Sequence, residues 1–97
     1  MYYIYIIRCK DNTLYTGITT DLERRFNEHK NKIGAKYTKR HIVDKIEIAW
    51  SCENRSIASK LEYHLKRLSK KEKEEIIKSK RLLFLKIEID NYTLINV

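Results

Sequence analysis

The sequence predicts an α+β fold: a small antiparallel, three-stranded sheet flanked by helices in the order β-β-α-β-α-α, with the C-terminal tail as a candidate further strand. Three observations carry this. Two runs rich in tyrosine and isoleucine, YYIYIIRC (2–9) and LYTGIT (14–19), are separated by turn residues. Two capping signatures, Thr20-Asp21-Leu22-Glu23 and Ser69-Lys70-Lys71-Glu72, announce helices. A third alternating run, KIEIAWSC (45–52), stands between those helices.

The first two strands form a hairpin, because Lys-Asp-Asn-Thr is turn chemistry. A three-residue loop, Lys10-Asp11-Asn12 with Asn12 left-handed, places Cys9 opposite Thr13. Tyr5 then faces Gly17, Ile7 faces Tyr15, and the two tyrosines are diagonal neighbours on one face. A two-residue loop would put them on opposite faces. In the first helix Thr20 is the expected cap, with Glu23 reaching back to it. Leu22, Phe26 and Ile33 make its buried stripe, with Arg25 and His29 side by side along the edge. The cationic segment NKIGAKYTKRH reads as a connecting loop. In the third strand Ile46, Ile48 and Trp50 alternate with Lys45, Glu47 and Ala49.

From Arg55 onwards Ile57, Ala58, Leu61, Leu65 and Leu68 mark the buried face of a second helix. Glu62 sits about 40° from Ala58 and about 60° from Leu65 on that helix. A carboxylate at the margin of a core face is costly without a partner. Ser69 and Glu72 cap a short charged helix through about Lys78. The tail, LLFLKIEIDNYTLINV, alternates well enough for a strand or a hairpin turning at Asp90-Asn91.

Ninety-seven residues, 42% hydrophobic and 35% charged, with no proline, describe one folded domain rather than a disordered chain. The longest unbroken apolar run, YYIYII, is far short of the roughly 20 residues of a membrane helix. Cys9 and Cys52 are isolated, as expected of thiols in a reducing compartment. No basic leader with a cleavage site opens the sequence, so the expected location is cytoplasmic. The net charge is +8, and residues 24–81 hold eighteen Lys/Arg against eight Asp/Glu. An excess of that kind attracts polyanions, and a solvated lysine-rich face is the plainer alternative.

The pattern IYI (4–6), YTG (15–17), DLERRFNEH (21–29), GAKYT (34–38) and ASKLEY (58–63) resembles the GIY-YIG nuclease superfamily, in particular its small stand-alone bacterial members. Five blocks match in order over about residues 2–78, leaving 79–97 as a C-terminal extension without counterpart. Ile4 replaces the glycine of GIY and Thr16 the isoleucine of YIG, and a proline expected near His41 is missing.

The resemblance implies metal-dependent hydrolysis of phosphodiester bonds. Catalytic roles would fall to Tyr5, Tyr15, Arg25, His29, Tyr37 and Glu62. Glu62 would hold one divalent ion, Mg²⁺ or Mn²⁺, and Arg25 would fork onto phosphate. Tyr5 would orient or deprotonate water, although a free tyrosine has a pKa of about 10 and is a poor base near neutrality. Gly17, Lys36, Lys39, Arg40 and Lys66 are the expected substrate contacts. The expected partner is nucleic acid, DNA above all, in repair, recombination or turnover, with no membrane. Specificity would be low or supplied by a protein partner, and the oligomeric state is left open. Two rival readings are a catalytically idle nucleic-acid-binding module and an interaction protein using its C-terminal strand. Taken singly, each site residue also has a structural reading: sheet tyrosines, a surface Arg–His pair, and a Glu62 neutralised by a nearby lysine.

Overall fold

The computed structural model describes residues 1–31 and 41–97. Its elements are β1 (Tyr2–Cys9), β2 (Leu14–Thr19), α1 (Leu22–Lys30), β3 (Val43–Cys52), α2 (Arg55–Lys66), α3 (Lys70–Ser79), a 3₁₀ turn (Ile89–Asn91) and β4 (Thr93–Ile95). All pairings are antiparallel, in the spatial order β2-β1-β3-β4. The expected α+β class is what the chain adopts, and the tail adds a fourth strand at the free edge of β3.

The hairpin has the three-residue loop. Asn12 is left-handed at φ 71°, the Cys9 amide donates to the Thr13 carbonyl at 2.9 Å, and Tyr5 pairs with Gly17 and Ile7 with Tyr15. Because side chains alternate across a strand, this register divides β1 between two cores. Ile4 and Ile6 join Ile48, Trp50, Ala58, Leu61, Leu65 and Ile76 on the side of α2 and α3. Tyr5, Ile7 and Cys9 join Ala49 and, from α1, Leu22 and Phe26 on the other.

Three local expectations need correction. Asp21, not Thr20, caps α1: its side chain accepts from the Arg24 amide at 3.0 Å. Thr19 Oγ1 meanwhile accepts from the Asp21 amide at 3.1 Å. The two good capping residues are adjacent, and an ionised carboxylate is favoured at the positive end of the helix. Second, the alternation of β3 is broken. The pairing shifts between Ile6–Ile48 and Ile7–Ile46, which leaves Glu47 as the extra residue of a bulge. Ile46 therefore packs with the α1 core while Ile48 and Trp50 pack with the other. Third, of the strand and the hairpin expected of the tail, only the strand forms, after the turn at Ile89–Asn91. Lys80 ends α3 in left-handed backbone at φ 60°, and Phe84, at φ 69°, interrupts the extended run. Leu82, Leu83, Leu85 and Ile87 cover the α2–α3 core instead, and Tyr92 donates its hydroxyl to the Ile57 carbonyl at 2.7 Å.

α3 carries the predicted capping box: Glu72 N to Ser69 Oγ at 3.1 Å, and Ser69 N to Glu72 Oε1 at 2.9 Å. It is also tied to the sheet by a residue the sequence did not single out. The Arg8 guanidinium bonds Glu47 on β3, both carboxylate oxygens of Glu74 on α3 at 2.8 and 2.6 Å, and Asn12 in the hairpin loop at 2.6 Å. The Arg8 fork, joined by Lys70, holds the Glu74 carboxyl down at about 2.

Arg8→Ala leaves the half-buried Glu47 without its Arg8 Nε donor and Glu74 without its fork. Urea unfolding is expected to show a loss of about 2 kcal/mol, with Arg8→Lys recovering less than half because an ammonium cannot fork onto Glu74. Because the folded-state pKa of Glu74 lies below the ordinary 4.5, the stability it contributes is present above that value. It is lost as the pH falls from there towards 2, and Glu74→Gln should flatten that part of the acid-unfolding curve.

Candidate active site

β2 is an edge strand, and opposite Tyr5 it carries Gly17. A methyl group on Gly17 would lie 2.4 Å from the Tyr5 hydroxyl oxygen and 2.7 Å from Cζ. The phenol of Tyr5 thus occupies the space a side chain at position 17 would fill, and extends across β2 towards its open edge. What the glycine admits here is the tyrosine ring itself.

The Tyr5 hydroxyl ends against His29 Nε2, at 2.9 Å. His29 was expected along the edge of α1, but it is 1% exposed and is the buried residue of that helix. Leu22 and Phe26 pack on the sheet as expected, only partly buried, while Ile33 lies outside the described residues. Tyr15 closes the group, with ring centroids 5.2 Å from His29 and 6.4 Å from Tyr5.

Electrostatics fixes the protons in this cluster. Burial pushes the Tyr5 phenol up to about 12, against a partial opposing pull from the Arg25 guanidinium beside it. Burial, and then the positive charge of Arg25, push His29 down to about 4. Near neutrality the phenol keeps its proton and the imidazole is uncharged. With the imidazole proton on Nδ1 the Tyr5 hydroxyl donates to Nε2, and with the proton on Nε2 the direction reverses. Arg25 is also paired with Glu28, at 2.9 Å.

Glu62 comes from the other side of the sheet. α2 packs on β1 and β2 through Ala58, Leu61 and Leu65, and Glu62 stands beside them with its side chain 23% exposed, at the predicted margin. Its charge reaches the Tyr5 hydroxyl and opposes ionisation there. Its ion-pair partner is Lys66 Nζ at 3.2 Å, so the neighbouring lysine anticipated by the plain structural reading is present. Tyr5, Tyr15, Arg25, His29 and Glu62 are thus gathered around one edge of β2, with Gly17 beneath and Lys66 alongside. Lys36, Tyr37, Lys39 and Arg40 lie outside the described residues.

Glu62 is a hard oxygen donor, and among the described residues no three His, Cys, Asp or Glu side chains cluster as a metal cage. This donor set suits an ion that takes one protein carboxylate and completes its shell with water and substrate oxygens. Cys9 and Cys52 are buried free thiols whose burial raises their pKa, so neither is poised as a nucleophile. No described helix is long and apolar enough to cross a membrane.

Two arginines that the sequence reading passed over, Arg24 and Arg55, border a groove of about 300 Å³ beside Arg25. Arg24 had a usable signal, its place in the paired arginines of α1. Arg55 had none, since only tertiary packing brings the start of α2 next to α1.

The chain is similar to several known proteins. The profile of the GIY-YIG catalytic domain matches residues 1–75. A UPF0213 protein of Fusobacterium nucleatum is 47% identical over 99% of this chain and 94% of its own. One from Clostridium perfringens is 42% identical, over 84% and 88% respectively. The solution NMR structure of the UPF0213 protein from Bacillus halodurans superposes with a TM-score of 0.54 at 39% identity, covering 82% of this chain and 86% of that one.

Two outcomes are expected of the buried cluster. Gly17→Ala should destabilise by about 1–3 kcal/mol through its clash with the Tyr5 ring. In a Tyr5→Ala background most of that cost should vanish, which a double-mutant cycle of denaturation midpoints measures. The folded-state pKa of His29 lies below its ordinary 6.5, so the unfolded chain binds the extra proton first. Stability is then retained above pH 6.5 and declines as the pH falls towards 4, and His29→Gln should remove that slope.

Proposed function

Because the chain belongs to the GIY-YIG family, we propose that it is a divalent-metal-dependent endonuclease hydrolysing phosphodiester bonds in DNA, with little sequence preference of its own, in repair, recombination or turnover. The observation that carries this reading is the convergence on Tyr5 of a neutral imidazole, a guanidinium and a carboxylate charge. Those groups match the needs of phosphodiester hydrolysis: a positioned water, a proton acceptor, and positive charge on the non-bridging oxygens.

In this mechanism Arg25 forks onto the phosphate undergoing attack. The Tyr5 oxygen accepts a hydrogen bond from the attacking water while its own hydrogen points to His29 Nε2. As the new P–O bond forms, the P–O bond to the leaving oxygen breaks and that oxygen takes a proton from solvent, while the water proton passes to the phenol oxygen and the phenol proton passes to Nε2. Tyrosinate therefore need not accumulate, which suits a phenol whose pKa is raised rather than lowered. Burial is the larger cause of the lowered His29 pKa, and a phosphate on Arg25 offsets the second, the arginine's charge, so substrate itself raises the proton affinity of the imidazole. Tyr15 packs against the His29 ring and keeps it aimed. Glu62 would hold the ion, Mg²⁺ or Mn²⁺, which when bound supplies charge neutralisation on the phosphate oxygens. Lys66 would contact phosphate, and the same role is proposed for Lys36, Tyr37, Lys39 and Arg40.

The test is a cleavage time course on labelled duplex, single-stranded and branched DNA, with Mg²⁺, Mn²⁺ or EDTA. Wild type should cut only with metal, and Glu62→Ala should abolish cutting with an unchanged circular dichroism melt. Arg25→Lys should lower kcat by about 10²–10³. Equal traces from wild type and Glu62→Ala would overturn the enzyme and leave a nucleic-acid-binding module.

A further inference from the structure

The groove beside Arg25 runs around the outer edge of β2, where β1 begins and β2 ends, and takes walls from both faces of the sheet. Arg24 and Arg25 come from α1, Arg55 from the first position of α2, and Tyr2 and Ile18 from the strands between. Among the described residues Glu28 is the one carboxylate on its wall, and it is already paired with Arg25. Arg24 and Arg55 are both exposed. Among the described residues neither has a carboxylate oxygen within 4.0 Å. By contrast Arg8 is forked onto two glutamates. Two planar cations thus border one groove from helices on opposite faces of the sheet, and among the described residues neither is in an ion pair. Repulsion of that kind is unfavourable in the free protein and becomes favourable when an anion binds between them.

We propose that this groove is a second phosphate subsite, in which Arg24 and Arg55 grip the sugar–phosphate backbone of the cut strand next to the linkage held at Arg25. The subsite rests on the nuclease reading for the identity of its ligand, whereas its two arginines lie outside the chemistry proposed there. Arg25 lines the groove and also acts on Tyr5, so the two positions are continuous and one strand can occupy both. A phosphodiester backbone is repetitive and anionic, which fits adjacent cationic positions better than a lone carboxylate would. Arg24 and Arg55 are then positioning residues: they hold the strand and do not touch the reacting atoms.

The experiment measures binding of fluorescently labelled duplex DNA to the full chain in EDTA, by anisotropy across a KCl series. Single-turnover cleavage is followed in parallel with Mg²⁺. Arg24→Ala/Arg55→Ala should bind at least about tenfold more weakly. Its slope of log Kd against log salt should be smaller by about 2. Cleavage at saturating protein should stay within about threefold of wild type. Arg24→Lys/Arg55→Lys should restore the salt slope, which a purely structural role for the arginines would not predict. Circular dichroism melts of both variants establish that they fold. If wild type binds DNA and the alanine pair matches it in affinity and salt slope, the subsite is overturned while the nuclease reading stands. A fall in cleavage rate at unchanged affinity likewise overturns the anchoring role. If wild type neither binds nor cuts nucleic acid, the nuclease reading falls and the subsite with it.

Discussion

The hydrogen bond between the Tyr5 hydroxyl and His29 Nε2 is the constraint around which the α1 side of the molecule is arranged. Both groups are almost fully buried, and each would cost about 1–3 kcal/mol if left without a partner. Satisfying them fixes the depth of α1 on the sheet and the direction of the imidazole. It also demands room for a phenol over β2, which is why position 17 carries no side chain. The same burial sets the protons, holding the phenol protonated and the imidazole neutral. One contact thus joins packing, backbone choice and protonation state.

The other side of the sheet follows a different logic. There the core is aliphatic, and orientation comes from Arg8, which reaches β3, α3 and the hairpin loop at once. Hydrophobic burial holds α2 and α3 down but is non-directional, whereas a forked guanidinium has a single good geometry. Placement of α2 matters because it carries Glu62 to the margin where its charge meets Tyr5. The site is therefore assembled from both faces, and the edge strand β2 is thin enough for them to meet around it.

A single loop decision lies beneath all of this. With three residues between β1 and β2 and Asn12 left-handed, Tyr5 and Tyr15 share a face. With two residues they would not, and neither the aromatic cluster nor the gap over Gly17 would form. Asn accepts the left-handed backbone at low cost, so the parity of the hairpin is written into a local residue choice. The bulge at Glu47 in β3 has the opposite character. Nothing local demands it, and it lets Ile46 serve one core while Ile48 serves the other.

By itself the sequence determined the elements, their order, the hairpin register, the capping of α3 and the marginal position of Glu62. It also determined the family, through blocks that keep their order. Each of these depends on interactions within a few residues or on a period of two or 3.6, which a linear pattern can display. Tertiary structure alone decided that His29 is buried rather than lateral, and that Asp21 displaces Thr20 as the cap. It also decided that Arg8 clamps α3, that the tail yields only a three-residue strand, and that Arg24 and Arg55 meet across β2. Those outcomes depend on which side chains from distant segments compete for the same space or charge, and that competition is settled only when the sheet and helices close on one another.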